Sequence, residues 1–313
     1  MTTNKQCPAC HENLEHDLPF CIYCGVSLPE EEPTSSLLGA IVDGRYRLSA
    51  LVGRGGMGEV YRAQRLPHGD DVAFKVLLAH PLDNPVHLRR FLDEIRALAK
   101  VQHDNLVRVI DTGVMPPGDD RPYYVMPFLA GQTLGATLEK GPLLVSAGIA
   151  IIIQILAALQ ALHDAALVHR DVKAENVILD PSGHATLLDL GIARVIKSTQ
   201  GATMAGEIVG TLEVMAPEQI LGRPVDARTD VYQAGALLLH LLLGRPAFAA
   251  QSTTSWYSAH LHNMPLGFDH GGIPQDVARI CLKALEKEPN DRFSSAADMA
   301  TAIRQAQAKW QHT

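Results

Sequence analysis

The chain has 313 residues, and 47% of them are hydrophobic, which is enough to bury a sizeable core. It carries 27 basic and 34 acidic side chains, giving a net charge of −7 with no basic block. This balance argues against a nucleic-acid surface or a polybasic membrane patch and favours proteins and nucleotides as partners. The polar start, Met1–Gln6, lacks an apolar signal segment, so a cytoplasmic, reducing compartment is expected.

Two C-x-x-C pairs lie close to the start of the chain: Cys7 with Cys10, and Cys21 with Cys24. Four thiolates arranged in two knuckles suit tetrahedral Zn²⁺. In a reducing compartment, disulfides or two separate redox motifs are weaker interpretations. The pattern resembles a zinc ribbon. Gly25 fits that resemblance, whereas His11 stands where the first knuckle would carry glycine.

A segment this short cannot fold on apolar burial alone, so the metal would supply its stability. Lys5 is outnumbered there by Glu12, Glu15 and Asp17, which makes a role in nucleic-acid binding improbable and favours a structural or protein-contact module. An acidic and polar linker, Glu30–Ser36, follows.

A glycine-tipped hairpin is predicted next. Arg47–Val52 is typical of a strand, and the glycines that follow are Gly53, Gly55, Gly56 and Gly58. A dinucleotide-binding turn would open a helix, but Val60–Ala63 continues as a strand. Glycines let backbone amides approach phosphate oxygens that a Cβ would obstruct, so the hairpin is a candidate phosphate-binding loop.

The strand Val72–Lys75 places an ammonium after this hairpin, and Arg89–Val101 has the pattern of a helix. Glu94 lies on the inward face of that helix, where a carboxylate is costly unless it is paired. A solvated surface glutamate is the alternative. Val107–Thr112 and Tyr123–Met126 are predicted to complete an antiparallel sheet. Met126, beside apolar residues, is by default a core residue.

Leu143–Leu162 carries no charge over twenty residues and is long enough to span a membrane. Candidate site residues lie before this run, such as Lys75, and after it, such as Asp171. A membrane span would place these residues on opposite sides of the bilayer. Gln154 and Gln160 also interrupt the run. A buried core helix is therefore expected.

The stretch His169–Asn176, with Asp189 following, provides a phosphoryl-transfer set. Asp171 can accept a proton from a hydroxyl nucleophile, and Lys173 can neutralise phosphoryl charge. Asn176 and Asp189 can hold Mg²⁺ through oxygen atoms. The alternative is a polar loop beside a hairpin, because Val177–Leu179 and Ala185–Leu188 are predicted to be two strands.

A polar stretch, Lys197–Gly206, follows and is typical of a mobile loop. Its hydroxyl residues are Ser198, Thr199 and Thr203. Farther along, Asp230 precedes the apolar helix Ala236–Leu243, and Cys281 is expected to pack in the core rather than react.

Taken in order, seven motifs resemble the Hanks-type serine/threonine protein kinase family, in its bacterial form. They are the glycine loop Gly53–Gly58, Val72–Lys75, Glu94, His169–Asn176, Asp189–Gly191, Met215–Glu218 and Asp230. The resemblance implies an α+β, two-lobed kinase fold over residues 45–303, with a small mainly β N-lobe (45–126), a hinge (127–130) and a large mainly α C-lobe (131–303). A ribbon (1–29) and a linker (30–44) would precede it, and a tail (304–313) would follow.

The resemblance also implies roles for individual residues. Lys75 would be aimed by Glu94 at the ATP phosphates, and Asp171 and Lys173 would act on the hydroxyl and the phosphoryl group. Adenine would bind the Pro127 carbonyl and the Leu129 amide, with Met126 as gatekeeper. The other nucleotide contacts would be Val52, Gly53, Gly55, Gly56, Gly58, Val60 and Ala73. Asn176 and Asp189 would hold Mg²⁺, with Mn²⁺ as a substitute.

Three further roles follow from the same resemblance. Thr211 would contact the catalytic loop and, with Lys173, favour serine or threonine as the acceptor. Glu218 would pair with Arg292, and Asp230 would hold the catalytic-loop backbone.

Four positions depart from the family pattern: Leu190, Ala174, Leu212 and Val214. None of them removes a group that touches phosphate or metal, so an active enzyme is expected. The competing interpretation is a pseudokinase, a nucleotide-binding interaction module without turnover.

Arg170 precedes the catalytic aspartate and needs an anion if it becomes partly buried. No acidic residue occurs between Lys197 and Gly206, so autophosphorylation in this loop, with Thr203 the leading site, is expected to supply that charge. Ordering of the loop by Glu207 without modification is the alternative.

Overall fold

The computed structural model describes residues 5–6, 10, 13–14, 37–55, 58–77, 85–188, 212–265 and 273–310. The chain divides into two compact units, Met1–Leu38 and Gly39–Thr313. In the first unit, strands β1 (Lys5–Gln6) and β2 (Asn13–Leu14) pair antiparallel. Cys10 lies in a turn of the connection between them.

The second unit begins with a six-stranded antiparallel sheet in the order β3-β4-β5-β6-β8-β7. Its strands are β3 (Ile41–Val42), β4 (Tyr46–Gly55), β5 (Gly58–Arg65), β6 (Asp70–Leu77), β7 (Asp111–Val114) and β8 (Pro122–Pro127). Helix α1 (Pro85–Leu98) joins β6 to the strands that follow, and it buries Ile95 and Leu98. The strands predicted over Arg47–Val52, Val60–Ala63, Val72–Lys75 and Tyr123–Met126 are present, with shifted ends.

One predicted strand differs from the structure. The alternation of buried Val107 and Val109 with exposed Arg108 imitates a strand, but the sheet strand begins only at Asp111. The Val107 amide instead donates to the carbonyl of Leu187 at 2.9 Å, and Leu106 forms a bridge with Leu187. The segment therefore contacts the helical lobe through Leu187 instead of forming a strand of the sheet. Val107 and Val109 are buried in this arrangement as they would be in a strand.

The helical lobe begins with β9 (Gln132–Thr133), α2 (Leu134–Leu138) and α3 (Val145–Asp164), followed by β10 (Val177–Leu179) and β11 (Ala185–Leu187). It continues with α4 (Pro217–Ile220), α5 (Ala227–Leu243), α6 (Thr253–His262), α7 (Gln275–Ala284) and α8 (Ala296–Trp310). Strands β9, β10 and β11 form a small antiparallel sheet.

Helix α3 contains the uncharged run. By length and composition it could cross a membrane, yet half of its apolar window is buried, and it packs against α5 and α8. Ile152, Ile155 and Leu159 are fully buried in the core of the lobe.

Helix α8 continues past the predicted domain end at residue 303, and Ala306 is buried against the core. The predicted tail 304–313 therefore begins inside a helix. Cys281 is fully buried in α7, and burial raises the pKa of its thiol to about 12, so it is a packing residue.

Candidate active site

The catalytic stretch lies between α3 and β10, where a buried carboxylate meets an ammonium and an amide. Asp171 is only 2% exposed. Its Oδ2 lies 3.0 Å from Lys173 Nζ and accepts a hydrogen bond of 3.0 Å from Asn176 Nδ2. The same Asn176 amide donates to the Asp171 carbonyl at 2.8 Å. The predicted carboxylate, ammonium and amide groups of Asp171, Lys173 and Asn176 therefore lie in direct contact.

The short β10–β11 hairpin fixes the far end of this stretch. A 3₁₀ turn over Ala174–Asn176 leads directly into β10. At the other end of the hairpin, the Leu188 amide donates to the Asn176 carbonyl at 2.7 Å. Leu188 is the last described residue before Asp189.

The backbone of the catalytic stretch is held by side chains of α5. Asp230 is fully buried, and its carboxylate accepts hydrogen bonds from the amides of His169 (2.8 Å) and Arg170 (2.7 Å). Gln233, one turn later, accepts from the Val172 amide at 2.9 Å and donates to the Arg170 carbonyl at 3.0 Å. These bonds satisfy loop amides and a carbonyl that no secondary structure satisfies.

Arg170 needs this support because its backbone has a positive φ of 68°, which is costly for a residue with a side chain. Gln219 of α4 adds a second hydrogen bond to its carbonyl, at 2.9 Å. His163 of α3 reinforces Asp230 from the other side, with Nε2 at 2.8 Å from Oδ2.

In this structure Glu94 faces Arg170 rather than Lys75. Its carboxylate lies 3.7 Å from the Arg170 guanidinium, and within the described part of the chain it forms no ion pair with Lys75. Burial raises the pKa of Glu94, and Arg170 opposes that shift, as expected for a half-buried acid beside a cation. Glu94 thus supplies Arg170 with an anionic partner, the role predicted for a phosphorylated residue of the loop Lys197–Gly206.

Lys75 lies on β6, is 8% exposed, and is paired in register with Val60 of β5 and Tyr124 of β8. Its ammonium is 5.8 Å from the Tyr124 ring centroid. Two residues earlier, Ala73 pairs with the buried Met126, and Val72 pairs with Pro127 at the end of β8. The ammonium, Ala73 and the predicted hinge therefore border the same part of the sheet. Leu129, just beyond, is half-buried.

The glycine hairpin is formed by β4 and β5, whose last pair is Gly55 with Gly58. Nothing lies within 4 Å of a Cβ built on Gly53 or Gly55, so the hairpin leaves room above its backbone. Gly58 has φ 155°, and a Cβ there would lie 2.1 Å from the Val76 carbonyl oxygen. Only glycine fits at that position. Val52 is exposed and Val60 half-buried.

A buried ion pair stabilises the helical lobe behind the site. Arg292 donates from Nη1 and Nη2 to the two carboxylate oxygens of Glu218, both at 2.8 Å. Thr229 Oγ1 donates to the same carboxylate at 2.6 Å. Burial alone would raise the pKa of Glu218, but Arg292 and Thr229 lower it below its ordinary value.

Several functional candidates were missed in the sequence. Gln219, Gln233 and His163 support the catalytic backbone, and polar residues on the buried face of α5 were the available signal for Gln233. Glu213 is half-buried, and burial together with Glu175 raises its pKa to about 6, against the opposing effect of Lys173.

Other predicted residues lie outside the described part of the chain. They are Cys7, His11, Cys21, Cys24, Gly25, the linker Glu30–Ser36, Gly56, Asp189, Leu190, Gly191, Lys197–Gly206 including Ser198, Thr199 and Thr203, Glu207 and Thr211.

Comparison with known proteins identifies this arrangement. The sequence matches the protein kinase domain family over residues 46–307. It is 38% identical over 287 residues to the serine/threonine-protein kinase Pkn1 of Myxococcus xanthus, covering 90% of this chain. It is 36% identical over 260 residues to the serine/threonine-protein kinase PknB of Mycobacterium tuberculosis, covering 82% of this chain. The chain spans only 41% and 42% of the lengths of these two relatives.

Solved structures agree with the fold. The crystal structure of the M. tuberculosis PknI kinase domain aligns with a TM-score of 0.68 at 26% identity, covering 87% of this chain and 98% of that one. The β-rich lobe and the helical lobe described above are thus those of a protein kinase.

Proposed function

Because the chain belongs to the protein kinase domain family, we propose that it transfers the γ-phosphoryl group of ATP to serine or threonine hydroxyls of proteins. The observation that carries this proposal is the convergence of Asp171, Lys173 and Asn176 within 3.0 Å contacts. The pseudokinase alternative is not favoured, since the relatives named above are serine/threonine-protein kinases and these three groups are in place.

Asp171 would orient the acceptor hydroxyl and take its proton as the phosphoryl group leaves ATP. Lys173, held on the same carboxylate, would stabilise charge on the moving group. The hydrogen bonds that Asp230 and Gln233 accept from the loop amides keep both residues on a fixed backbone, so the geometry exists before the substrates bind.

Nucleotide binding would use the glycine hairpin for the phosphates, Lys75 for the α- and β-phosphates, and the Pro127 carbonyl and Leu129 amide for adenine. The donor set fits Mg²⁺: the Asn176 amide nitrogen is engaged by Asp171, which leaves its oxygen as a cation ligand, and Asp189 would be the second. Mn²⁺ fits the same oxygens. The ion, when bound, neutralises phosphate charge.

The test is transfer from labelled ATP to a generic basic protein, with phosphopeptide mapping of the wild type beside Lys75→Met. Phosphorylated serine or threonine in the wild type alone would support the proposal. Nucleotide-induced thermal stabilisation without transfer, under varied metals and partners, would overturn it in favour of the pseudokinase.

Regulation by phosphorylation of Thr203 is the second part of the proposal. Arg170 holds Glu94 at 3.7 Å, and a phosphothreonine would offer Arg170 about 1.5 to 2 negative charges and a bidentate partner. The phosphate would compete with Glu94 for this guanidinium. Glu94 would then be released to pair with Lys75, the arrangement that family members use for catalysis.

Thr203→Ala is therefore expected to slow transfer on the order of tenfold or more, because the loop loses the charge that orders it. ATP affinity should stay nearly unchanged, since the nucleotide contacts lie elsewhere. Initial rates and ATP titrations check both, with Thr199→Ala as the matched control. The proposal fails if Thr203→Ala and phosphatase-treated wild type both turn over at the untreated rate.

A zinc ribbon is the proposed role of the first unit, as a structural or protein-contact module with an unnamed protein partner. Two observations support it: β1 ends at Gln6, one position before the first C-x-x-C pair in the sequence, and Cys10 lies in a turn.

Purified protein is expected to carry about one zinc per chain, the stoichiometry of a four-thiolate site. Elemental analysis measures it. Cys7→Ser should lower the zinc content, whereas Cys281→Ala should not, because Cys281 is buried in α7. Zero zinc together with a disulfide-linked N-terminal peptide would reverse the assignment.

Cytoplasmic placement, a core rather than membrane role for α3, and the absence of nucleic-acid partners are the remaining parts of the proposal. The packing of α3 against α5 and α8 supports its role as a core helix. The net charge of −7 supports the absence of nucleic-acid partners.

A further inference from the structure

The strands β4 and β5 carry, close to the end of the glycine hairpin, a cluster of charges that the proposed mechanism does not use. Arg54 on β4 lies directly opposite Glu59 on β5, one pair before Gly55 and Gly58. The Arg54 guanidinium donates to Glu59 Oε1. Opposite charges facing each other across an antiparallel pair stabilise the pairing, so this contact closes the hairpin next to its tip.

Glu59 is also held from outside the hairpin. It is 6% exposed, and its second oxygen accepts a hydrogen bond from Tyr61 Oη at 2.6 Å. Arg121 Nη1 lies 3.7 Å from the same oxygen. Burial alone would raise the pKa of Glu59, but Tyr61, Arg54 and Arg121 lower it below its ordinary value. The carboxylate is therefore a buried anion with three partners.

Arg121 is well placed to act as a fixed anchor. It lies in the loop before β8, and its Nη2 donates to Asp119 Oδ2 at 2.8 Å while its Nε donates to Oδ1. The Met115 amide donates to the Arg121 carbonyl at 2.7 Å, which closes the loop. The side chain is only 17% exposed. A guanidinium held by a bidentate carboxylate has little freedom to move.

The contact between Arg121 and Glu59 crosses a strand. In the sheet order, β6 lies between β5 and β8, so Arg121 links the hairpin to a strand that is not its neighbour. In register, Glu59 pairs with Val76, whereas Lys75 pairs with Val60. Because successive residues of a strand point to opposite faces, Glu59 lies on the face opposite Lys75. Arg121 lies on the same face as Glu59, since the two side chains are in contact. They cannot touch the nucleotide and can act only through the hairpin backbone.

We infer that Arg121 is a positioning residue for ATP, which acts through Glu59 and Arg54 to fix the glycine hairpin over the phosphates. The inference rests on the proposed kinase function. Gly58 is bonded directly to Glu59 and leaves no room for a Cβ against the Val76 carbonyl, so a shift of the Glu59 backbone reaches the glycine that closes the hairpin. The substrate affected is therefore the nucleotide and not the acceptor protein.

Arg121→Gln is expected to raise the KM for ATP on the order of fivefold to tenfold, the effect of losing one partly buried charge contact. The kcat should stay within about twofold, because the Asp171 group is untouched. Arg121→Lys, which keeps the charge, should restore much of the affinity. Asp119→Asn weakens the contact that holds the Arg121 side chain in place and should give an intermediate KM. This variant replaces Arg121→Gln in the test if Arg121→Gln folds poorly.

Arg45→Gln is the matched control. It also breaks an arginine–aspartate pair of the same sheet, with Asp111, but at the opposite end of the β4–β5 hairpin. Its KM for ATP should equal that of the wild type. Glu59→Gln should raise the KM at least as much as Arg121→Gln, because it also weakens the contact with Arg54. The double variant should add little to Glu59→Gln, since Arg121 acts through Glu59.

The outcomes separate this inference from the proposed function. A wild type that neither binds nor transfers from ATP would sink the kinase proposal and the inference with it. An active wild type whose KM does not respond to Arg121→Gln, or responds no more than to Arg45→Gln at equal melting temperature, would overturn the inference alone. Additive effects of Arg121→Gln and Glu59→Gln would also overturn it. Calorimetric titration with ATP measures the dissociation constant of each variant directly, without turnover, and should show the same differences.

Discussion

Asp171→Asn is expected to lower phosphoryl transfer by on the order of a hundredfold or more, because proton acceptance and orientation of the hydroxyl fail together. The amide has nearly the shape of the carboxylate and can keep the backbone contacts of a residue that is 2% exposed. What it loses is the anion that holds Lys173 Nζ at 3.0 Å. Single-turnover transfer from labelled ATP measures the effect.

ATP binding and the melting temperature should change little in the same variant, which separates a chemical defect from unfolding. Asp180→Asn is the matched control: Asp180 lies in the turn of the β10–β11 hairpin, where its Oδ1 accepts hydrogen bonds from Ser182 and His184. An asparagine oxygen can accept the same bonds. Transfer at the wild-type rate by Asp171→Asn would remove Asp171 from the proposed mechanism.

Arg292→Met is expected to cost about 3 to 5 kcal/mol of the free energy of unfolding of the helical lobe, because it leaves the carboxylate of Glu218 buried and unpaired. Arg292 also donates to the carbonyls of Glu286, Lys287 and Arg228, so three further acceptors lose a partner. Urea unfolding monitored by circular dichroism measures the loss.

Arg223→Met is the control for this effect, because Arg223 and Glu288 form an exposed pair at 3.8 Å. Exposed pairs contribute about 0 to 1 kcal/mol, so this variant should unfold nearly as the wild type does. Adding Glu218→Gln to Arg292→Met should recover part of the loss, because the uncompensated charge is removed. Equal losses for Arg292→Met and Arg223→Met would contradict the assignment.

The same pair predicts a dependence on pH. In the wild type, the pKa of Glu218 is lowered, so its ionisation contributes stability that is complete above the unfolded pKa, about 4.3, and is lost as pH falls towards the folded value. In Arg292→Met, protonation of Glu218 relieves the buried charge. The difference in stability between wild type and variant should therefore narrow below about pH 4.

The parts of the site that the sequence predicts well are local. Asp171, Lys173 and Asn176 lie within six residues, and the hairpin that follows leaves few ways to arrange them. The apolar run of α3 likewise predicts a buried helix, and Ile152, Ile155 and Leu159 are fully buried. Such inferences need only short-range geometry.

The parts that the sequence predicts poorly depend on how distant elements pack. The helical pattern of α1 places Glu94 on the inward face, but it cannot say whether Arg170 or Lys75 will be the nearer cation. The alternation Val107, Arg108, Val109 predicts burial on one side, but not which backbone will accept the hydrogen bonds. Arg121 and Glu59 are 62 positions apart, and no periodicity links them.

Helix α5 gives the catalytic stretch a particular response to hydrogen exchange. The amides of His169, Arg170 and Val172 bond to the side chains of Asp230 and Gln233 rather than to backbone carbonyls. Their hydrogens stay protected only while α5 is docked, so loop and helix open as one cooperative unit. A substitution that loosens α5 is therefore expected to abolish the proposed phosphoryl transfer in the same event that exposes these amides to solvent.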